Sequence, residues 1–289
     1  MANGFSSVSG LRIGHAHDAG VRTGVTLVVP DAPMVMAVDV RGGGPGTRET
    51  DALEPSALVE RVHGLVLAGG SVFGLAAADE LVVLLSGAGA GLDMGVGLPQ
   101  VPVVPAAILF DLGNGGDKDW GGAPPYRRLA HEAFAALGTG DKSGAVGAGF
   151  GARAGSRPGG IGSFSSVLSS GHRIGALIAV NSFGEVYAGA PPDGVVPMPK
   201  LRALAGQNTC IGVVATEAPL TRVQAKRVAM MAHDGLARCI RPIHTPFDGD
   251  AIFVISVAEG GVSDNVAVAE IGTLAADLVM AAVRRGAGI

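Results

Sequence analysis

Short β-branched apolar runs, each bounded by Pro, Gly or Asp, alternate along this 289-residue chain with longer segments of helical spacing. Runs at residues 23–30, 35–41, 209–216 and 251–257 read as strands, and residues 106–112 as a further one. Helical spacing covers residues 55–62, 71–85, 125–137, 221–240 and 265–285, with Ser71 and Thr221 placed as N-caps of two of them. Residues 174–180 and 185–189 flank Asn181-Ser182-Phe183-Gly184 and predict a hairpin. A Pro-rich stretch at 191–199 reads as a linker and is followed by a short helix at 200–205. Beyond it the order is β-α-β-α with well-separated helices, which predicts a layered α/β arrangement. No fixed-period repeat is present, and the length suits one large domain or two small ones.

Composition narrows the function classes. Hydrophobic residues make up 48% and charged ones 16%, against a usual ~25% charged, so an intrinsically disordered polyelectrolyte is excluded. Lys and Arg number 21 against 25 Asp and Glu, there is no basic run, and aromatics are 4%, so no nucleic-acid partner is expected. The mean hydropathy of +0.41 raises the question of a membrane. The apolar stretch at 65–110 is broken by Asp79, Glu80 and Asp93, then by Pro99, Pro102 and Pro105, and no membrane span is expected. Residues 1–21 lack an apolar core behind a basic start, and Cys210 and Cys239 form neither a CxxC pair nor a disulfide framework. The expected location is therefore cytoplasmic.

Several motifs bear on chemistry. Residues 147–152, GAGFGA, match the dinucleotide fingerprint G-x-G-x-x-A, but they follow a turn rather than a strand and lack an acidic residue about 20 positions on. No GK[ST] is present, and the seven histidines form no HExxH or HxxxH pair, so neither a cofactor nor a metal is expected. His244, four residues before Asp248, is either a turn histidine or a ligand or base. The run RGGGPGTRETD at 41–51 is either a structural tight turn or the wall of a site. Asp248 and Asp250 stand across a Gly turn, where two like charges need a cation or donor between them unless they face solvent. Asn208-Thr209 falls after the Pro-rich stretch and at the head of an apolar strand. A hydroxyl placed there gains a built-in base if the bond before it is cut, since a free α-amine titrates near ~7.7–8.0.

Taken together, RGGGPGTRETD (41–51), LAGGSVFGLAAADE (67–80), VPVVPAAILFDL (101–112), VGAGFGA (146–152) with GGIGSFS (159–165), AVNSFGEV (179–186), NTCIGVVATEAPLT (208–221) and HTPFDGDAIF (244–253) resemble the DmpA-type L-aminopeptidase/D-amidase family, which includes the NylC-type nylon-oligomer hydrolases. The resemblance implies an α/β fold of the αββα four-layer sandwich type, similar to N-terminal nucleophile hydrolases. It implies one catalytic domain over residues 1–289, cut between Asn208 and Thr209 into fragments 1–208 and 209–289. Thr209 is then the nucleophile, Asn181 the oxyanion donor, and Asp248 and Asp250 the groups that orient the Thr209 amine. Gly43, Gly44 and Phe110 are expected to line the substrate site. No metal or cofactor is implied, and the processed pairs are expected to assemble as homotetramers.

Two departures stand out. Phe110 occupies the place where some members carry an oxyanion-assisting Tyr, and the Gly-rich run after VGAG offers Arg153, Ser156 and Arg157 where some nylon hydrolases use a Lys. Cys210, one residue past Thr209, is a rival nucleophile. The expected activity is release of N-terminal residues from small peptides, amino-acid amides or esters, or cleavage of short amide oligomers. Alternatives are acyl transfer of the ornithine acetyltransferase type and a non-cleaving scaffold.

Overall fold

Two mixed five-stranded sheets stack face to face, and two helices cover the outer side of each. The computed structural model describes residues 4–194, 208–258 and 263–289. In chain order the strands are β1 (Leu11–Asp18), β2 (Thr23–Pro30), β3 (Val35–Val40), β4 (Thr47–Arg48), β5 (Leu65–Ala68), β6 (Ala106–Ile108) and β7 (Arg153–Ala154). They continue as β8 (Arg157–Pro158), β9 (Gly160–Val167), β10 (Arg173–Val180), β11 (Glu185–Val186), β12 (Ile211–Thr216), β13 (Ile240–Arg241) and β14 (Ala251–Ser256). The helices are α1 (Ala76–Gly87), α2 (Tyr126–Ala135), α3 (Arg222–Ala237) and α4 (Asn265–Gly286).

The first sheet runs β1-β2-β5-β6-β4 and the second β3-β14-β12-β10-β9. Each holds one parallel pair, β5 with β6 and β12 with β14. A parallel pair cannot be closed by a tight turn and needs a crossover; α1 lies in the first connection and α3 in the second. Ile13, Val28, Leu67, Leu177, Val213 and Phe253 meet in the layer between the sheets. Strands β2, β12 and β14 are buried along their whole length, which is why they read as unbroken apolar runs rather than alternating ones. This is the αββα four-layer sandwich that the resemblance implied.

Local chemistry sets the helix starts. Thr221 and Gln224 form a capping box, Thr221 Oγ1 accepting from Gln224 N at 3.2 Å and Gln224 Oε1 from Thr221 N at 2.9 Å. Asp264 caps α4 by accepting from Ala267 N at 2.8 Å. Ser71 does not cap its segment: it takes a left-handed φ of 53° at the head of a 3-10 turn, and the α-helix begins only at Ala76.

Other expectations are corrected. Residues 55–62 are not helical; Leu58 is 96% exposed while Val62 is buried in a bridge to Met34, so these two, one helical turn apart, share no buried face. The expected strand at 106–112 ends at Ile108. Segments 174–180 and 185–189 form no hairpin, because β10 pairs with β9 and β12 whereas β11 pairs with β13. The short helix at 200–205 and most of the linker at 191–199 lie outside the described residues. By length and composition α4 is long and apolar enough to cross a membrane, contrary to the reading that no segment is; half of its most apolar window is buried inside the protein, with Ile271, Ala275, Val279 and Ala282 in the core.

Strands β1 and β9 carry no clear strand pattern. In β9 the reason is α4: a Cβ on Gly162 would overlap the Ala282 carbonyl, so the close approach of helix to sheet admits only glycine. Gly162→Val is expected to cost about 1–3 kcal/mol, read as a lower urea midpoint with unchanged slope; a midpoint equal to that of the parent chain would show that the helix is not pressed onto β9.

Candidate active site

The parallel register of β12 and β14 extends backwards past the strands. Ile211 faces Ala251, and three residues earlier Asn208 bridges Asp248, so residues 208–210 run alongside residues 248–250. Backbone bonds close this ladder: Asn208 N donates to Phe247 O at 3.4 Å, Gly249 N to Asn208 O at 3.0 Å, and Ala251 N to Cys210 O at 3.1 Å. Thr209 lies between two tethered neighbours and is 1% exposed. Its N–H donates to the Asn181 carbonyl, and its Oγ1 stands 2.5 Å from the carbonyl oxygen of Asn208. That oxygen therefore has two donors on it, the Thr209 hydroxyl and the Gly249 amide.

Gly249 can be nothing larger, since a Cβ there would come within 2.8 Å of Thr209 Oγ1 and 2.7 Å of the Gly44 carbonyl. The glycine run after β3 lies against the same turn. Arg41 N donates to Asp250 O at 2.9 Å, Gly43 N to Thr245 O at 3.2 Å and Gly44 N to Asp248 O at 2.8 Å. The amides of Gly43 and Gly44 are thus bound to the aspartate turn. Asn181, 1% exposed at the end of β10, accepts at Oδ1 from Arg153 N at 2.9 Å and donates from Nδ2 to Phe110 O at 3.1 Å. In the continuous chain the side-chain amide of Asn181 therefore rests on Phe110, and Gly249 is the backbone donor on the Asn208 carbonyl.

Asp248 and Asp250 are both fully buried. Asp248 accepts from Thr245 N at 2.8 Å, Thr245 Oγ1 at 2.6 Å and Phe183 N at 3.3 Å. Asp250 accepts from Cys210 N at 2.8 Å, His244 Nδ1 at 2.8 Å and His244 N at 3.3 Å. Among the described residues neither has a Lys or Arg ion-pair partner. Burial, and secondly the charge of Asp250, push the Asp248 carboxyl up to about 6, against the hydrogen bonds that oppose the shift. Burial likewise raises the Cys210 thiol well above its ordinary value, with the Asp250 charge acting the same way. The thiol sits in the apolar core beneath the second sheet, where a thiolate is disfavoured, so the rival nucleophile is set aside.

The sequence brings Thr209, Asn208, Asn181, Asp248, Asp250, Gly43, Gly44 and Phe110 into one network. The donor roles of Gly249 and Phe183 leave no side-chain signal, because both act through backbone N–H groups; only the glycine itself marks position 249. Thr245 was legible in principle: a Thr three residues before a buried Asp is the spacing of a local side-chain turn. Of the fingerprint-like residues 147–152, Gly147–Gly149 form a 3-10 turn packed beneath β2, in which Ala148 N donates to Thr26 Oγ1 at 3.0 Å. No group of three or more His, Cys, Asp or Glu among the described residues is placed to hold a metal ion.

Two stacked sheets between two helix layers, with the buried network at the head of the central strand β12, make up the fold and its candidate site. Solved structures agree on the fold. A Burkholderia sp. beta-aminopeptidase superposes with a TM-score of 0.78 at 23% identity, covering 99% of this chain and 86% of that one. An L-aminopeptidase D-Ala-esterase/amidase from Ochrobactrum anthropi, described as a variant of the Ntn hydrolase fold, gives 0.74 at 22% identity, covering 98% and 85%. Residues 3–286 match peptidase family S58, and the chain belongs to that family, which makes it an amide hydrolase. A Mycobacterium leprae protein named as an uncharacterised aminopeptidase is 42% identical over 88% of this chain and 78% of its own. A 6-aminohexanoate-oligomer endohydrolase from Kocuria sp. is 26% identical over 86% and 74%.

The raised Asp248 carboxyl gives a signed expectation. Between its ordinary value of 3.8 and about 6 the folded chain keeps a proton that the unfolded chain has lost, so its contribution to stability is complete below that window and is lost as pH rises through it. Relative to Asp248→Asn, the parent chain should lose stability from pH 4 to pH 6 in urea titrations; parallel curves would contradict the burial of an unpaired carboxyl there.

Proposed function

We propose that the chain cuts itself between Asn208 and Thr209, and that the freed Thr209 is the nucleophile of an aminopeptidase. The substrates are small peptides, amino-acid amides or esters, or short amide oligomers. The observation that carries this reading is the pair of donors on one carbonyl oxygen, Thr209 Oγ1 at 2.5 Å and Gly249 N at 3.0 Å from Asn208 O. The closeness of this hydroxyl to its own preceding peptide group supports an N-to-O acyl shift. The Thr209 oxygen bonds to the Asn208 carbon, the negative oxygen of the tetrahedral intermediate keeps the Gly249 hydrogen bond, and the C–N bond then breaks. The hydroxyl proton ends on the departing nitrogen. Water hydrolyses the resulting ester, returning the Thr209 hydroxyl and leaving a carboxyl on Asn208, so one water is consumed overall.

In the cut enzyme the Thr209 amine takes the hydroxyl proton as the oxygen attacks a substrate amide. Asn181 O, which accepts from Thr209 N in the continuous chain, is placed to keep hold of that amine. Asp248 and Asp250 tether the neighbouring residues, and an ammonium between them supplies the cation that two close carboxylates lack. Asn181 Nδ2 is the assigned oxyanion donor for substrate, once it turns from the Phe110 carbonyl. The names of the mycobacterial and nylon-oligomer relatives support amide hydrolysis at a chain end or within short oligomers.

Thr209→Ala should remain folded as one 28.7 kDa chain and lose hydrolysis of amino-acid p-nitroanilides by at least about 10³-fold, whereas Thr209→Ser should still be cut. Full activity in Thr209→Ala would overturn the assignment. Adding an amine acceptor to the assay separates hydrolysis from acyl transfer.

A further inference from the structure

His244 stands on the aspartate turn, and no step above uses it. Its backbone is left-handed, with φ 55°, a region open mainly to Gly and tolerated best by Asn, Asp and His. Its Nδ1 lies 2.8 Å from Asp250 Oδ2, and its own N–H reaches the same oxygen at 3.3 Å. A carboxylate oxygen accepts, so Nδ1 carries the hydrogen, and in the neutral ring Nε2 is bare. Nε2 is buried and has no hydrogen-bond partner among the described residues.

Edge-on against this ring is that of His233 on α3, with centroids 5.0 Å apart and planes at 68°. His233 is fully buried, and its Nε2 lies 2.9 Å from the Asp39 carbonyl, which again only accepts, so here the hydrogen is on Nε2 and Nδ1 is bare. Burial, first, lowers His233 to about 4 and keeps it neutral near pH 7. The charged groups against the two rings are Asp250 on the turn and Asp39 at the end of β3, with Arg41 Nε bonded to Asp39 at 2.7 Å and Arg41 Nη1 4.0 Å from Asp234, the residue after His233 on α3. Nothing in this arrangement offers His244 a second acceptor, so its one ring bond goes to Asp250.

We propose that His244 is a positioning residue for the reaction at Thr209, acting through Asp250. Its Nδ1–H fixes one carboxylate oxygen, the other oxygen holds the Cys210 amide, and that amide belongs to the peptide unit directly after the nucleophile. The neutral His233 ring, packed edge-on, keeps the imidazole from turning away. The inference rests on Thr209 as the reacting residue, but its geometry is readable without that reaction.

Two measurements test it. In the Thr209→Ala chain, ¹⁵N-imidazole NMR near pH 7 should show His244 protonated on Nδ1 and His233 on Nε2; a hydrogen on Nε2 of His244 overturns the inference. Second, His244→Ala should slow both release of fragment 209–289 and peptide turnover by about 10–100-fold, the size of one hydrogen bond to a charged group. His244→Asn, which carries an amide N–H where Nδ1–H stood and tolerates the left-handed backbone, should return both rates to within a few-fold of the parent. Equal rates in all three chains, or equal slowing in the two variants, overturn it. A failure of the Thr209 reading shows in the parent chain itself, whereas a failure of this inference shows in the tautomer and in the difference between the two variants.

Discussion

The parallel pairing of β12 with β14 is the constraint on which the rest depends. Its register, carried back from Ile211 and Ala251 to the bridge between Asn208 and Asp248, lays the Asn-Thr-Cys segment beside the Asp-Gly-Asp turn. A one-residue slip would exchange the side chains packed between the two sheets, such as Val213 and Phe253, with those packed under the helices, such as Val214 and Val254, and the close packing of both layers holds the register. The crossover helix α3 makes the parallel pairing possible, and the same helix brings His233 to His244. Fold and site are therefore set by one choice of strand direction.

Electrostatics then organises the loops around that ladder. Two carboxylates that have no Lys or Arg partner among the described residues would be costly inside a protein if left bare, and each instead accepts three hydrogen bonds, mostly from backbone N–H groups. The donors come from the segment after β10, the start of β12 and the turn before β14, so the two charges gather three pieces of chain. Hydrogen bonds to charged groups contribute roughly 1.5–3 kcal/mol each, whereas exposed pairs such as Arg12–Asp31 or Arg128–Glu132 contribute about 0–1 kcal/mol. The buried turn, not the surface ion pairs, fixes the geometry of the site.

How much of this could be read from the sequence follows from where each signal resides. Strands β2, β12 and β14 and helices α2, α3 and α4 were legible because an apolar run or a helical stripe is a local pattern. The segment at 55–62 misled because Leu58 and Val62 have helical spacing but only Val62 is buried. Strand β9 was hidden because Gly162 answers to α4, more than 100 residues away in the chain, and Gly160 to the backbone of Gly144, and neither to strand propensity. The site residues were collected by resemblance to a family more than by their own chemistry. The donor role of Gly249 was not legible because it is played by a main-chain N–H, and the His233–His244 contact because no local pattern joins the helix to the turn.

The most direct test of the account is the intact mass of the purified chain under denaturing conditions. The account requires two species of 208 and 81 residues, the smaller beginning at Thr209, whose masses together exceed the 28.7 kDa of the continuous chain by one water. A single 28.7 kDa species that persists through prolonged incubation while the protein still hydrolyses amides would contradict it.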